Sequence, residues 1–135
     1  MENIILYDKQ ANPIITFSDF NVLDDANQFI STAITISYNI FHLNTSIDIE
    51  RADLEGLASS LRKIYNRKCS KCYFQPIEKL LDIEMQYLEC GSICVNVVVR
   101  DSSYTGELRL SFQTDQTFIP SLIDEIERVL NMLKI

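Results

Sequence analysis

Four cysteines offer the most specific chemistry in this chain. Cys69 and Cys72 form a CxxC pair, and Cys90 and Cys94 form a CxxxC pair. Two pairs of thiolates are what a tetrahedral zinc ion requires, so a zinc-stabilised interaction module is one hypothesis. Two features oppose it: no glycine follows Cys72 to form a tight knuckle, and the strand pattern places Cys94 on the face opposite Val95. We therefore favour ordinary reduced thiols and expect no cofactor.

Catalysis has few other candidates. A redox CxxC normally opens a helix, where the thiolate is stabilised, whereas this one follows a predicted helix. His42 is the only histidine, and a Cys–His nucleophile pair is formally possible. Asp24 and Asp25 could form a metal or acid–base site, although we favour a solvated loop. The three glycines lie far apart and form no phosphate-binding loop. We predict no catalytic residues, and an enzyme of unrecognised type stays as the alternative.

The charge of the chain limits its partners. The 135 residues suit a single domain, residues 1–135, with a formal charge of −7. An anionic surface repels phosphate backbones and anionic lipid, so we expect neither nucleic acid nor a membrane as a partner. The same surface attracts a basic protein. The N-terminus carries no positively charged region of the kind found in signal peptides, which predicts a cytoplasmic protein.

Charge is also unevenly distributed. Residues 1–61 carry nine acids and two bases, residues 62–71 carry a net charge of +5, and the remainder carries −5. The basic run is most simply the solvated end of a helix, although it could bind phosphate or an acidic surface. The acidic N-terminal half is the better docking face for a basic partner. The candidate contacts are Asp19, Asp24, Asp25, Asp48, Glu50 and Asp53.

The first half of the chain must position these acids. Residues 1–28 are poorly patterned, with short strands predicted at 4–7 and 14–17 and a loop over 18–28. Alternating apolar residues from 30 to 40 predict a half-buried strand, and a second strand follows over 41–49. Residues 51–66 show apolar residues at i, i+3, i+4 and i+7 spacing, which predicts a helix.

Three further strands alternate clearly, at residues 81–87, 93–99 and 108–112. If their apolar faces coincide, the register follows, and residues 89–91 become a three-residue loop with Gly91 in a left-handed conformation. The predicted pairs are Ile83–Val97, Met85–Val95, Tyr87–Ile93, Val97–Leu110, Val99–Leu108 and Arg100–Glu107.

A final helix is predicted over residues 118–133, with Thr117 as its N-cap and Pro120 in its first turn. Strands, helix, strands and helix in that order predict an α+β fold. We expect a two-layer sandwich, a mainly antiparallel sheet with two helices packed on one face. The other face of that sheet is expected to be polar. Its members are Asp82, Glu84, Gln86, Asn96, Arg100, Glu107, Arg109, Ser111 and Gln113.

Three segments together resemble the WapI family of bacterial immunity proteins. They are the helix of residues 53–61, the glycine-centred hairpin of residues 91–95, and the run of residues 108–117 before the last helix. The most specific part is the strand ending in Phe112, followed by Asp115-Gln116 and a helix. The resemblance covers residues 29–133. Residues 1–28 fall outside it, and the paired cysteines are not a feature of the family.

The resemblance implies a function without chemistry. Members of this family are expected to bind and neutralise a cognate polymorphic toxin, commonly a nuclease-type domain, in the cytoplasm. Such toxins bind nucleic acid and tend to be basic, which agrees with the acidic balance of this chain. No catalytic residues transfer from the family. The identity of the toxin and the oligomeric state stay open.

Overall fold

Two β-β-β-β-α units follow one another along the chain. The computed structural model describes residues 2–24, 26 and 28–133, and within them eight strands form two antiparallel sheets of four. The α+β class and the antiparallel pairing are therefore confirmed, but there are two sheets where one was expected. The strands are β1 (Ile4–Tyr7), β2 (Pro13–Val22), β3 (Phe29–Tyr38), β4 (Phe41–Glu50), β5 (Lys71–Phe74), β6 (Leu81–Tyr87), β7 (Ser92–Arg100) and β8 (Glu107–Asp115). The helices are α1 (Arg51–Tyr65) and α2 (Ile119–Met132), and a 3-10 turn, Gln116–Phe118, precedes α2.

Each sheet keeps its strands in sequence order, β1 to β4 in the first and β5 to β8 in the second. Alternation directs one row of each long strand toward the core, because successive side chains point to opposite faces. In β4 only Ile47 and Ile49 of that row are buried. The two sheets and both helices share one core. Phe17 of β2 and Phe74 of β5 meet edge to face there, with ring centroids 5.9 Å apart.

The register predicted for the second sheet is confirmed throughout. Tyr87 pairs with Ile93, Val97 with Leu110, and Arg100 with Glu107. Gly91 closes the β6–β7 loop with φ of +83°. Cys90 also has a positive φ, +54°, which the sequence did not indicate.

The N-terminal segment is more ordered than its pattern suggested. β2 continues to Val22, through residues expected to form a loop, and its pairing with β3 shifts between Ser18 and Asn21. Asp19 lies inside this bulge with φ of +53°. A bulge adds a residue and breaks the period of two, so alternation cannot detect the strand beyond it. The buried Thr32 donates a hydrogen bond to the Ser18 carbonyl at 2.8 Å.

Three smaller expectations also changed. Ile40 was expected at the end of a strand but lies in the β3–β4 turn, and β5 was not expected at all. Thr117 is not the N-cap of α2. Instead, the Asp115 side chain accepts hydrogen bonds from both the backbone N–H and the hydroxyl of Thr117, at 3.1 and 2.8 Å. Pro120 does lie in the first turn of α2.

Helix α1 has the charge order that its dipole favours. α1 begins at a capping box, in which Glu50 and Asp53 each accept a hydrogen bond from the backbone of the other. Arg62 and Lys63 lie in its last turn, where the helix dipole favours cations. Within the described residues, neither helix has the length and apolarity needed to cross a bilayer.

Gly91→Ala is expected to destabilise the fold by about 1–2 kcal/mol. The backbone φ of this residue is positive, which a Cβ disfavours, and the added Cβ would lie 3.2 Å from the Gln116 side chain. Gly56→Ala, in the exposed part of α1 with nothing within 4 Å of the added Cβ, is expected to stabilise it by roughly 0.5–1 kcal/mol. The free energies of unfolding of both variants, measured in urea, test these two expectations. A Gly91→Ala variant as stable as the native chain would contradict this account of the hairpin.

Glu125 of α2 accepts the backbone N–H of Ile5 on the edge strand β1, at 2.9 Å. Partial burial raises the pKa of Glu125, against the opposing effects of that hydrogen bond and of Arg128. The folded chain therefore holds this proton more tightly than the unfolded chain. The resulting stability is present below the unfolded pKa and is lost as pH rises through the folded pKa.

Glu125→Gln keeps an acceptor for Ile5 but cannot ionise. We expect the variant to gain stability relative to the native chain between about pH 4 and pH 7, by a few tenths of a kcal/mol because the site is half exposed. Unfolding free energies at the two pH values measure this difference. Glu55→Gln, on the exposed face of α1, is the control, and an equal pH dependence in both variants would refute the assignment.

Candidate functional site

The four cysteines do not form one site. Cys72 pairs with Met85 and faces the core, whereas Cys94 pairs with Gln86 and faces outward. The predicted outward position of Cys94 is therefore confirmed, and the two strand cysteines lie on opposite faces of the sheet. Cys69 and Cys90 are exposed in loops. No group of three or more His, Cys, Asp or Glu residues in the described ranges is placed to hold a metal ion, so the geometry gives the zinc hypothesis no support.

The other catalytic candidates also stay apart. His42 is exposed on β4, and its Nδ1 lies 2.7 Å from the Ser37 hydroxyl rather than near a thiol or carboxylate. Asp24 accepts the backbone N–H groups of Gln28 and Phe29, at 2.9 and 3.1 Å, and so closes the β2–β3 turn. Asp25 lies outside the described residues.

The five described candidate acids gather at one end of the first sheet. Asp24 contacts the backbone of Phe29, and Phe29 is the cross-strand partner of Glu50. Two positions further along, Ser31 pairs with Asp48 on one side and with Asn21 on the other. The β2–β3 turn, the end of β4 and the start of α1 therefore meet here. We call this region the acidic end, defined by Asp19, Asp24, Asp48, Glu50 and Asp53.

Some of these carboxylates also stabilise the backbone. Asp24 closes a turn, and Glu50 and Asp53 form the capping box of α1. Asp19 and Asp48 are exposed, and neither side chain caps a backbone group within the described residues. These two acids can therefore be changed without removing a cap.

The acidic end has little compensating charge. No lysine or arginine occurs between Lys9 and Arg51. Within the described parts of the chain, none of the five carboxylates forms an ion pair. The Arg51 guanidinium donates to the carbonyls of Leu130 and Leu133 at the end of α2, at 3.3 and 3.1 Å.

Two exposed apolar side chains lie among these acids. Leu23 is 53% exposed and Phe29 is 41% exposed, and the Leu23 backbone N–H donates to the Phe29 carbonyl at 2.9 Å. Apolar anchors surrounded by charged residues are the usual composition of a protein-binding patch. Sequence reasoning missed both residues, because they flank a turn and belong to no periodic pattern.

The outward face of the second sheet differs in its charge pairing. It is polar, as predicted, but its charges neutralise one another. Arg100 lies 2.8 Å from Asp82 and 3.7 Å from Glu107, and Lys71 lies 3.7 Å from Glu84. This face therefore presents less net charge to a partner than the acidic end does.

The basic run of residues 62–71 is largely engaged within the fold. Arg62 pairs with Glu127 of α2, and Lys71 pairs with Glu84. The Arg67 guanidinium lies 4.2 Å from the centre of the Tyr87 ring and donates to Gln116 at 3.2 Å. These contacts favour a structural role for this run over binding of phosphate.

Comparison with known proteins places the chain in a sequence family. The model of the immunity protein WapI-like family matches residues 8–134. This match contains the region of the sequence resemblance, residues 29–133, and extends it into the N-terminal segment. No curated protein sequence matches the chain.

Solved structures show that the fold occurs elsewhere. The Trypanosoma brucei MRP1/MRP2 structures share 5% identity with this chain, with a TM-score of 0.51 over 96% of this chain and 83% of theirs. The plant transcriptional regulator PBF-2 shares 9% identity, with a TM-score of 0.50 over 97% of this chain and 87% of its own. At such low identity the likeness concerns the fold alone.

Thiol reactivity tests the placement of the cysteines. Burial raises the pKa of Cys72 to about 11, so almost none of it is thiolate at about pH 8. With Ellman's reagent, we expect Cys69 and Cys90 to react within seconds to minutes and Cys72 only after denaturation. Single Cys→Ser variants identify each phase. Rapid modification of Cys72 in the native chain would contradict its position in the core.

Proposed function

The chain belongs to the WapI-like family of immunity proteins, and on that premise we propose that it binds and neutralises a cognate toxin protein in the cytoplasm. The family match, which covers nearly the whole chain, is the observation that carries this proposal. The toxin would be a basic domain, because the unpaired charge of the immunity protein is negative. Neutralisation would work by covering the toxin's working surface, with no chemistry performed by the immunity protein.

The acidic end is the proposed docking surface. Its carboxylates attract a basic partner over a Debye length and raise the rate of encounter. Leu23 and Phe29 would then be buried at the centre of the contact, where apolar and aromatic side chains contribute most of the binding energy. Asp19 and Asp48 would meet lysine or arginine side chains at the rim. This arrangement supports binding whose rate falls as salt concentration rises.

Nucleic acid is not the proposed ligand, although the fold is shared with a plant transcriptional regulator. A protein that binds nucleic acid neutralises phosphates with lysine and arginine, and its affinity depends on their number. β2, β3 and β4 contain neither residue. The basic residues of the second sheet's outward face are paired with carboxylates.

The deciding experiment begins with the gene adjacent to the one encoding this chain. If its product contains a toxin domain, co-expression with this chain should restore growth of cells that the toxin alone arrests. The purified proteins should form a stable complex whose association slows with added salt. Undiminished toxin activity in the presence of excess, folded protein would refute the proposal for that pair.

Paired charge variants test the docking surface. Asp19→Asn with Asp48→Asn removes two charges from the acidic end, whereas Glu89→Gln with Asp124→Asn removes two exposed charges elsewhere. At low salt the first pair should slow association with the toxin by about 10-fold and the second pair by less than about 2-fold. Surface plasmon resonance at low and high salt measures both rates. If both double variants slowed association equally, the acidic end would not be the docking surface.

A further inference from the structure

The four sheet edges are not equally protected. β1 is short, and its Ile5 N–H is bound by Glu125. β5 is also short. At the opposite edge of the second sheet, the Gln113 carbonyl of β8 accepts a hydrogen bond from the Lys9 N–H at 3.0 Å. β4 is ten residues long, pairs with β3 without a register shift, and contains no proline, lysine or arginine. A long, regular edge strand without such guards favours pairing with another strand.

The free part of the β4 edge can be located. The Asp48 N–H donates to Glu78 at 3.1 Å and the Glu50 N–H donates to Asp53 at 2.8 Å, so these residues direct their backbone groups away from β3. In an antiparallel strand every second residue points its N–H and C=O to the same side. His42, Asn44 and Ser46 therefore point their backbone groups to the edge, where no described strand lies beside them.

Exposed apolar residues lie at the two ends of this free stretch. At one end, Ile40 in the β3–β4 turn is 84% exposed and Phe41 is 55% exposed. At the other end, Glu78 contacts Asp48, and its neighbour Ile77 is 73% exposed. Ile40 and Ile77 are the most exposed large apolar side chains in the described chain. A two-fold axis through the middle of the stretch exchanges its ends.

We propose that a second copy of this chain docks on β4, antiparallel to it, with the two-fold axis at Asn44. His42 of each copy then pairs with Ser46 of the other, and Asn44 pairs with Asn44, with two backbone hydrogen bonds exchanged in each pair. The Asp48–Glu78 bond is kept. Ile40 of each copy comes opposite Asp48 of the other, beside the loop that carries Ile77, so the exposed apolar ends cover one another.

Side chains are compatible with this pairing. On the core-facing side, Leu43 would lie opposite Thr45 and Phe41 opposite Ile47 of the second copy. A groove of about 310 Å³ beside the edge, lined by Leu43, Val99 and Leu108 among others, leaves room for this row. No two like charges come opposite each other between residues 41 and 47. The assembly is isologous, as two-fold dimers are.

The dimer is expected to be weak. One pair of edge strands and two small apolar contacts bury less surface than the roughly 1,200–2,000 Å² of stable interfaces. The chain should therefore be monomeric at about 10 µM and substantially dimeric near about 1 mM, because small interfaces have the lower affinities. Sedimentation equilibrium over this range measures the change, and amide exchange of His42, Asn44 and Ser46 should slow with concentration.

Asn44→Lys tests the position of the axis, because it places two lysines directly opposite each other across the two-fold. Thr35→Lys is the matched control: Thr35 pairs with Asn44 on the same exposed face, but in β3, one strand from the edge. Asn44→Lys should weaken dimerisation at least about 10-fold and Thr35→Lys less than about 3-fold, with similar thermal midpoints for both monomers.

Three results from these measurements would overturn the proposal. They are a monomer up to about 1 mM, a dimer unaffected by Asn44→Lys, and equal weakening by both lysines. Protection of the β4 amides by a bound toxin, in a chain that stays monomeric alone, would assign the edge to a toxin segment and would also overturn it.

Discussion

One shared core constrains everything else in this molecule. Alternate side chains of the strands face the core, and the buried ones of both sheets, with the apolar stripes of α1 and α2, belong to one cluster. A fully buried leucine, isoleucine or phenylalanine contributes roughly 1.5–3 kcal/mol, so sliding a strand by one residue would expose an entire stabilising row. The register of each strand is held by this cost. The contact between Phe17 and Phe74 ties one sheet to the other at the same core.

Because the core takes one face of each sheet, function is left to the outward faces, the turns and the edges. Among the described residues, no cluster of thiols, histidine and carboxylates is placed to hold a metal ion. The carboxylates at the acidic end either cap backbone groups or are exposed to solvent. Exposed ion pairs on the second sheet contribute little stability, but they cancel charge that a partner would otherwise meet. Among the described residues, the carboxylates of the acidic end form no such ion pairs. The acidic end therefore differs from the outward face of the second sheet in having unpaired carboxylates, which favours the binding of a basic partner there.

A single property of the sequence has two consequences for the first sheet. The absence of lysine and arginine between Lys9 and Arg51 leaves β2, β3 and β4 without a cationic side chain to offset the acidic end. It also leaves β4 without the cationic side chains that commonly keep edge strands apart. The second sheet has Lys71 on its short edge strand and Arg109 on β8. The same composition that attracts a basic partner thus leaves a backbone edge open to another strand.

The sequence by itself determined the α+β class, helix α1, the register of β6, β7 and β8, and the family, because alternation and helical spacing are local and coincident apolar faces fix a hairpin. It did not determine the division into two sheets, since which strands share a sheet depends on contacts between distant segments. The bulge at Asp19 concealed half of β2, and β5 was too short to show a period. Sequence reasoning named the acids, but only the pairing of β2, β3 and β4 brought Asp24, Asp48 and Glu50 to one end beside Leu23 and Phe29. That convergence is a property of strand order and turn geometry, which no single segment of the chain encodes.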